Sequence, residues 1–368
     1  MGHRGEEETP LESDRRGDSR RRTFRIPFVP PPPDGSRLHF FQLRQEERVV
    51  RKSRKRERGI ALIITLLILG LVTTVLLSSS SRTSLDLTLS TLYGNRVRGK
   101  YIAEGALKAA LIALREDAGM NSYDTLDEIW SRPSPPIQFG EGEALITVVD
   151  EERKFNINSL ILPGGLAPNE RMVAIFQGLL TELGIDPLLT DAVLDWLDSD
   201  DTPRPAGAES EYYSSLPHPY SPKNDLFDTL SELLLVRGFT REVYEKLAPF
   251  ITVHSSGKIN INTAPPEILR VLALGEEPEF QGLLDERSVE DVINYRSENP
   301  FEKPEDLGNV SSSLEELYRK TRIREVITTS STTFTVDAIA RVGKGRYRIV
   351  SLLTRSGESV EEISRIVY

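Results

Sequence analysis

The chain has 368 residues, 28% of them charged and 38% hydrophobic, with a net charge of −10 and no cysteine. That length accommodates two domains of ordinary size or one with a large insertion, and the missing cysteine excludes disulfides and thiolate chemistry. Four histidines, His3, His39, His218 and His254, none within helical spacing of another, weigh against a His-based metal or catalytic centre.

The charge is unevenly shared along the chain. Residues 1–59 carry 16 Arg and Lys against 10 Asp and Glu, a net of +6, which leaves −16 for the remainder. Lys and Arg are retained on the cytoplasmic side of a membrane, so a basic head ahead of an apolar run predicts translocation of the acidic body. The cluster Arg20-Arg21-Arg22 and the run Pro30–Pro33, with no apolar periodicity around them, predict a disordered leader over 1–58. Ile60–Leu77 is an 18-residue stretch without charge, at the short end of what spans a bilayer.

Helical spacing continues past it through Leu85, Leu89, Leu92, Ile102, Ala106, Ala109, Ala110 and Ala113. One helix from Ile60 to about Arg115 would be about 80 Å long at ~1.5 Å per residue. Gly94 and Gly99 are points where it would bend or break. A strand is predicted over Glu143–Asp150. Helices follow at Pro168–Leu183, Leu188–Leu197, Leu226–Val236, Glu242–Ala248, Pro266–Ala273, Val289–Ser297 and Leu314–Arg319. Alternation then returns in Thr333–Val342, in Tyr347–Leu353 after the turn at Gly343-Lys344-Gly345, and in Val360–Tyr368. Lys154-Phe-Asn-Ile-Asn-Ser159 recurs as Lys258-Ile-Asn-Ile-Asn-Thr263, which reads as two strand-to-helix corners. Strand, helical block and strands together predict one α+β domain interrupted by a helical insertion.

The junction Arg54-Lys-Arg-Glu-Arg-Gly59 before Ile60 admits three readings. It is a plain signal anchor, a secretory signal with small residues Ser78 and Ser80 at cleavage spacing, or a cytoplasmic-side cleavage after Gly59. The length of the apolar run and the helix continuing through it argue against ordinary signal cleavage.

Arg58-Gly-Ile-Ala-Leu-Ile63, the long helix and Tyr101-Ile-Ala-Glu-Gly-Ala-Leu107 resemble the type IV pilin-like pseudopilins. Four later motifs resemble one family among them, protein K, the large minor pseudopilin of type II secretion. They are Val193-Leu-Asp-Trp-Leu-Asp-Ser-Asp-Asp-Thr-Pro-Arg-Pro205, Gly207-Ala-Glu-Ser-Glu-Tyr-Tyr213, Ser231-Glu-Leu-Leu-Leu-Val236 and Asn260-Ile-Asn-Thr-Ala-Pro265. The resemblance spans about residues 55–368 and leaves out the long head. It implies an α+β fold in which a long N-terminal helix packs on a small antiparallel sheet, with a large inserted all-α domain containing a helix-hairpin-helix-like region. The expected divisions are leader 1–59, membrane segment 60–77, helix and first strand 78–158, inserted domain 159–326 and closing strands 327–368.

The resemblance also implies cleavage by a prepilin peptidase between Gly59 and Ile60, N-methylation of Ile60, an inner-membrane anchor with the body in the periplasm, and the other minor pseudopilins (the I-, J- and H-type subunits) as partners. Most pilin-like proteins carry Glu at the fifth mature position, where it can meet a neighbour's new amine. Here that position is Ile64. A carboxylate in lipid is retained only where a partner exists, so its absence suits a subunit with no neighbour above it, at the filament tip.

Asp195, Asp198, Asp200, Asp201, Glu209 and Glu211 form an acidic cluster. Hard carboxylate oxygens suit Ca²⁺, which takes six to eight of them, although the spacing is not that of an EF-hand. On spacing alone these residues read equally as solvated helix and turn positions. The resemblance favours structural calcium, with Asp198, Asp200, Asp201, Glu209 and Glu211 as the expected ligands.

Residues 259–307 resemble helix-hairpin-helix DNA-binding modules. The hairpin position, however, holds Leu274-Gly-Glu-Glu-Pro-Glu-Phe-Gln-Gly282, whose three glutamates would repel phosphate. The fold is therefore expected without nucleic-acid binding. No nucleophile–base grouping and no phosphate loop is present, so neither catalysis nor a small-molecule substrate is expected. A membrane-anchored DNA receptor and a minor pilin of a type IV pilus are the rival readings.

Overall fold

The computed structural model describes residues 37–368 apart from Leu166, with side chains from Gly59 onward. Two compact units divide the chain, one ending at Thr83 and one running from Ser84 to Tyr368. Helix α1 spans Arg37–Ala118. The leader was expected to be disordered as far as residue 58, but Arg37–Arg58 is helical. That stretch contains no proline or glycine and is dominated by Arg, Lys, Glu, Gln and Leu, which are good helix formers. The Arg20–Arg22 cluster and the Pro30–Pro33 run, which prompted the expectation, lie outside the described residues.

In the first unit, the segment after Gly59 is long and apolar enough to cross a membrane. Its few hydroxyls are turned onto the helix's own carbonyls. Thr65 Oγ1 donates to Ala61 O at 2.7 Å, Thr73 to Leu69 O at 2.9 Å and Thr74 to Gly70 O at 2.8 Å. No polar group on that stretch then faces hydrocarbon unbonded.

In the second unit, five strands form one antiparallel sheet. They are β1 (Ile137–Phe139), β2 (Gly142–Asp150), β7 (Thr333–Val342), β8 (Gly345–Ser356) and β9 (Ser359–Val367), lying side by side in that order. The end of α1 covers one face of it. Ala103, Ala106, Leu107, Ala110 and Leu114, at spacings of three and four, bury against Ala144, Val148, Val336, Ala338, Ile349 and Leu353. The alanines on both sides let helix and sheet approach closely. Gly99 serves the same end: a Cβ there would lie 3.2 Å from Tyr347 Cβ. Neither Gly94 nor Gly99 breaks the helix, because an interior glycine costs only about 1 kcal/mol against alanine.

The chain leaves the sheet after Asp150 and returns at Thr333, immediately beside its point of departure, since Asp150 pairs with Phe334. Between them the same unit is built twice. In the first copy β3 (Phe155–Asn156) leads to α2 (Glu170–Glu182) and α3 (Leu189–Leu197). After an excursion containing α4 (Ser210–Ser214), a 3₁₀ turn at Leu230–Leu235 leads to α5 (Arg241–Leu247) and β4 (Ile251–Thr252). In the second, β5 (Ile259–Asn260), α6 (Pro266–Val271), α7 (Glu286–Glu298), a 3₁₀ turn at Pro304–Asn309, α8 (Ser312–Lys320) and β6 (Ile327–Thr328) follow in the same order. Each copy closes with a two-residue parallel pairing, Phe155 with Ile251 and Ile259 with Ile327. Residues 151–158 and 327–332, expected to belong with the sheet, therefore take their places in the inserted body instead.

The recurring Asn-Ile-Asn explains the repetition. Asn156 Oδ1 accepts from Asn158 N and Asn260 Oδ1 from Asn262 N, both at 3.0 Å. The second asparagine of each pair grips a distant phenylalanine backbone at both ends. Asn158 holds Phe227 N–H at 2.8 Å and its C=O at 3.0 Å, and Asn262 holds both groups of Phe301 at 2.9 Å. Pinning Phe227 this way keeps the backbone out of helix, so the helix expected from Leu226 begins only at Leu230, as a 3₁₀ turn.

A buried polar knot joins the body to the sheet. Asn260 Nδ2 donates to Asp124 O at 3.1 Å and to Ser331 Oγ at 2.9 Å, and Thr263 Oγ1 donates to Asp150. Arg355 bonds both carboxylate oxygens of Asp124 and stands 4.8 Å over the Phe334 ring.

Candidate functional site

Gly59 lies within α1, and a Cβ built there would meet nothing within 4 Å. The glycine thus leaves bare backbone at the edge of the apolar segment, the form of peptide bond a protease at the membrane boundary has to reach. Ile60 and Ile64 follow on one helix face, both exposed.

The acidic residues gather where α3 ends. Asp195 and Asp198 sit one turn apart, Asp198 closing the helix as its C-cap, and Glu209 is the N-cap of α4. Between them the loop is folded back onto α3. Arg204 N donates to Asp195 Oδ2 at 3.1 Å and Ala206 N to Asp191 Oδ2 at 3.0 Å. Gly207 passes so close that a Cβ there would fall 1.9 Å from Asp195 Oδ2. Beneath lies an aromatic floor, with Trp196 edge-on to Tyr213 at 5.5 Å and stacked on Phe227 at 6.4 Å.

Carboxylate oxygens of Asp198, Asp200 and Glu209 come within 4.8 Å of one another. Arg204 Nη1 reaches Asp195 Oδ1 at 2.6 Å and Asp198 Oδ2 at 2.5 Å. That still leaves Asp198 Oδ1 and both Glu209 oxygens buried with no hydrogen-bond partner. Glu209 is 3% exposed. Burial, then the charges of Asp195, Asp198, Asp201 and Asp200, push its carboxyl up to about 8. A divalent cation is the group that would satisfy those oxygens and relieve the repulsion.

Two of the five expected ligands fall outside this set. Asp201 Oδ1 accepts from Ser210 N at 3.2 Å and so caps α4, while Glu211 lies on the exposed side of that short helix. A second carboxylate grouping, Asp117, Asp124 and Glu128, was not anticipated. It joins a helix end to a loop and has no periodic signature in the sequence.

At the hairpin after α6, the Glu276 carboxylate turns inward. Arg322 N donates to it at 3.1 Å and Arg171 Nε lies 3.5 Å away. The nearby basic groups are thereby engaged with Glu276 and Glu325.

The family described as "Type II secretion system (T2SS), protein K" matches residues 153–256, which is the first copy of the duplicated unit. Type II secretion system protein K of Klebsiella pneumoniae is 31% identical over 229 residues, covering 59% of this chain and 70% of the relative. The chain belongs to the type II secretion system protein K family. The Pectobacterium carotovorum member is 28% identical over 328 residues, covering 85% of this chain and 97% of its own. A chain of the solved GspK-GspI-GspJ complex from enterotoxigenic Escherichia coli shares the fold, with a TM-score of 0.55 and 19% identity over 78% of this chain and 99% of that one. The family consists of secretion pseudopilins, and the chain is a minor pseudopilin of type II secretion with a single apolar N-terminal helix suited to a membrane anchor.

Proposed function

We propose that this pseudopilin occupies the tip of the type II secretion pseudopilus, where it initiates or caps assembly of the filament that drives protein export. The observation that carries the proposal is Ile64. Counting from Ile60, the fifth position offers no carboxylate to a subunit above, so α1 can be covered from one side only. A duplicated helical body inserted between β2 and β7 supports the same reading, because an end position accommodates bulk that a packed shaft does not.

In this reading a prepilin peptidase cleaves between Gly59 and Ile60, and Ile60 becomes the methylated N-terminus. Ile60–Leu77 anchors the precursor in the inner membrane with its leader in the cytoplasm and its body in the periplasm. The I-, J- and H-type minor pseudopilins are its partners, as the GspK-GspI-GspJ complex of the structural relative suggests. In such assembly, helix leaves lipid for helix contacts, so close packing and not hydrophobic transfer sets the choice of neighbour. The subunit works by assembly and has no catalytic role. Asp198, Asp200 and Glu209 would hold Ca²⁺, whose charge would fix the loop between α3 and α4. The orphaned oxygens of Asp198 and Glu209 support the assignment.

Gold labelling of an epitope added after Tyr368 tests the placement on sheared pseudopili. Label at one end of each filament is expected; label along the shaft would refute it.

A further inference from the structure

At the foot of α1, where the helix runs into the loop that follows it, lies a cavity of about 260 Å³ with a mixed lining. Met120, Ile129 and Trp130 give it apolar walls, and Met120 and Ile129 are 77% and 85% exposed. Both line the same cavity, so they offer a partner's side chain apolar contact there. Its rim is anionic, formed by Glu116, Asp117, Asp127 and Glu128, and the carbonyl end of α1 adds its negative dipole.

The rim is only partly neutralised. Arg355 bonds Asp117 at 2.9 Å and takes both oxygens of Asp124, and Arg132 lies 3.4 Å from Asp127. Among the described residues, Glu116 and Glu128 have no cation. Glu128 accepts from Trp130 Nε1 at 2.6 Å and from Asn121 Nδ2 at 3.2 Å. Beside it, Asn121 Oδ1 is shielded from water with no partner. Burial and the charges of Asp117 and Asp124 push the Glu128 carboxyl up to about 7, so an added positive charge would be favoured there. A divalent ion fits poorly, because Arg355 already takes both Asp124 oxygens and pairs with Asp117.

We propose that this cavity receives an arginine side chain presented by a partner protein, its methylenes against Met120 and Ile129 and its guanidinium against the rim carboxylates of Glu128 and Glu116. A planar fork of N–H donors matches a carboxylate rim that lacks its own cation, and an aliphatic stem matches the walls. This docking point is independent of the anchor, tip and calcium assignments.

The test uses the full chain in detergent micelles, titrated with N-acetyl-Gly-Arg-Gly-amide and read by tryptophan emission, since Trp130 lines the cavity. A saturable change is expected, weakened about tenfold when citrulline, arginine's neutral isostere, replaces the arginine, as loss of a charge-assisted bidentate pair requires. Glu128→Gln should weaken it similarly. Equal binding of the arginine and citrulline peptides, or no saturable change, would overturn the proposal, and neither outcome depends on a variant that folds. Ca²⁺ producing the change in a Glu209→Gln background, where the peptide does not, would also overturn it.

Discussion

At Gly59 the helix surface carries no side chain, and the residue before a scissile bond at a membrane edge has to leave that backbone reachable. Gly59→Leu should therefore yield a membrane protein whose intact mass retains the leader, whereas the wild type should begin at methylated Ile60. Identical mature masses would dismiss the cleavage reading. Glu209 makes a second point at this scale. Its carboxyl is repelled by four aspartates, so without a cation Glu209→Gln should stabilise the loop, and with Ca²⁺ it should lose the benefit the wild type gains. A ligand at a hundred times its Kd adds about 2.7 kcal/mol. The full chain in detergent should therefore melt several degrees higher in Ca²⁺ than in EGTA, and the variant should not. Equal melting of the wild type in both would remove the metal.

Among the elements, the two asparagine grips are the features most open to measurement. Asn262 is 3% exposed and the Phe301 it holds is fully buried, whereas Asn158 is half-buried. Removing either side chain strands one N–H and one C=O, each costing about 1–3 kcal/mol where water cannot replace the partner. Asn262→Ala should thus lower the urea midpoint more than Asn158→Ala, and the reverse order would show that the two copies are not built alike. The paired Asn-Ile-Asn motif was visible in the sequence, and so were strands β7 and β8, because strict alternation and the Gly343 turn are local signals. The phenylalanines they hold were not, since the partners lie 69 and 39 positions apart in the chain. The same limit governed the acidic loop. Spacing identified a group of carboxylates, but only the folded loop decides that Asp201 caps a helix while Glu209 points inward. It also left Asp117, Asp124 and Glu128 unnoticed. The helix from Arg37 rests on a different signal: residues 37–58 are rich in good helix formers, and a proline run outside that stretch does not cancel their propensity.

For the whole molecule, the knot between body and sheet should set the response to pH. Asp150 is buried, and that burial, with the neighbouring charge of Glu152, pushes its carboxyl up to about 7. The unfolded chain ionises this group near the ordinary aspartate value of 3.8. Between about pH 4 and 7 the folded state therefore holds the extra proton, and stability falls as pH rises through that window. Glu128 adds to the same trend. Urea midpoints in EGTA should be higher at pH 5 than at pH 8, and Asp150→Asn should flatten the difference. A midpoint that rises with pH would contradict the assignment.

The return of the chain beside its exit also fixes how the molecule bears load. Both tethers of the helical body leave from the same end of neighbouring antiparallel strands, at Asp150 and Phe334. A pull on the body would therefore peel β2 from β7 one rung at a time, the weak direction for such a pair, whereas a push would seat it on the ends of the strands. The bond from Thr263, in the body, to Asp150 sits at that end of β2 and would break as the body lifts. A head mounted this way tolerates thrust far better than traction, which suits the tip position proposed for it.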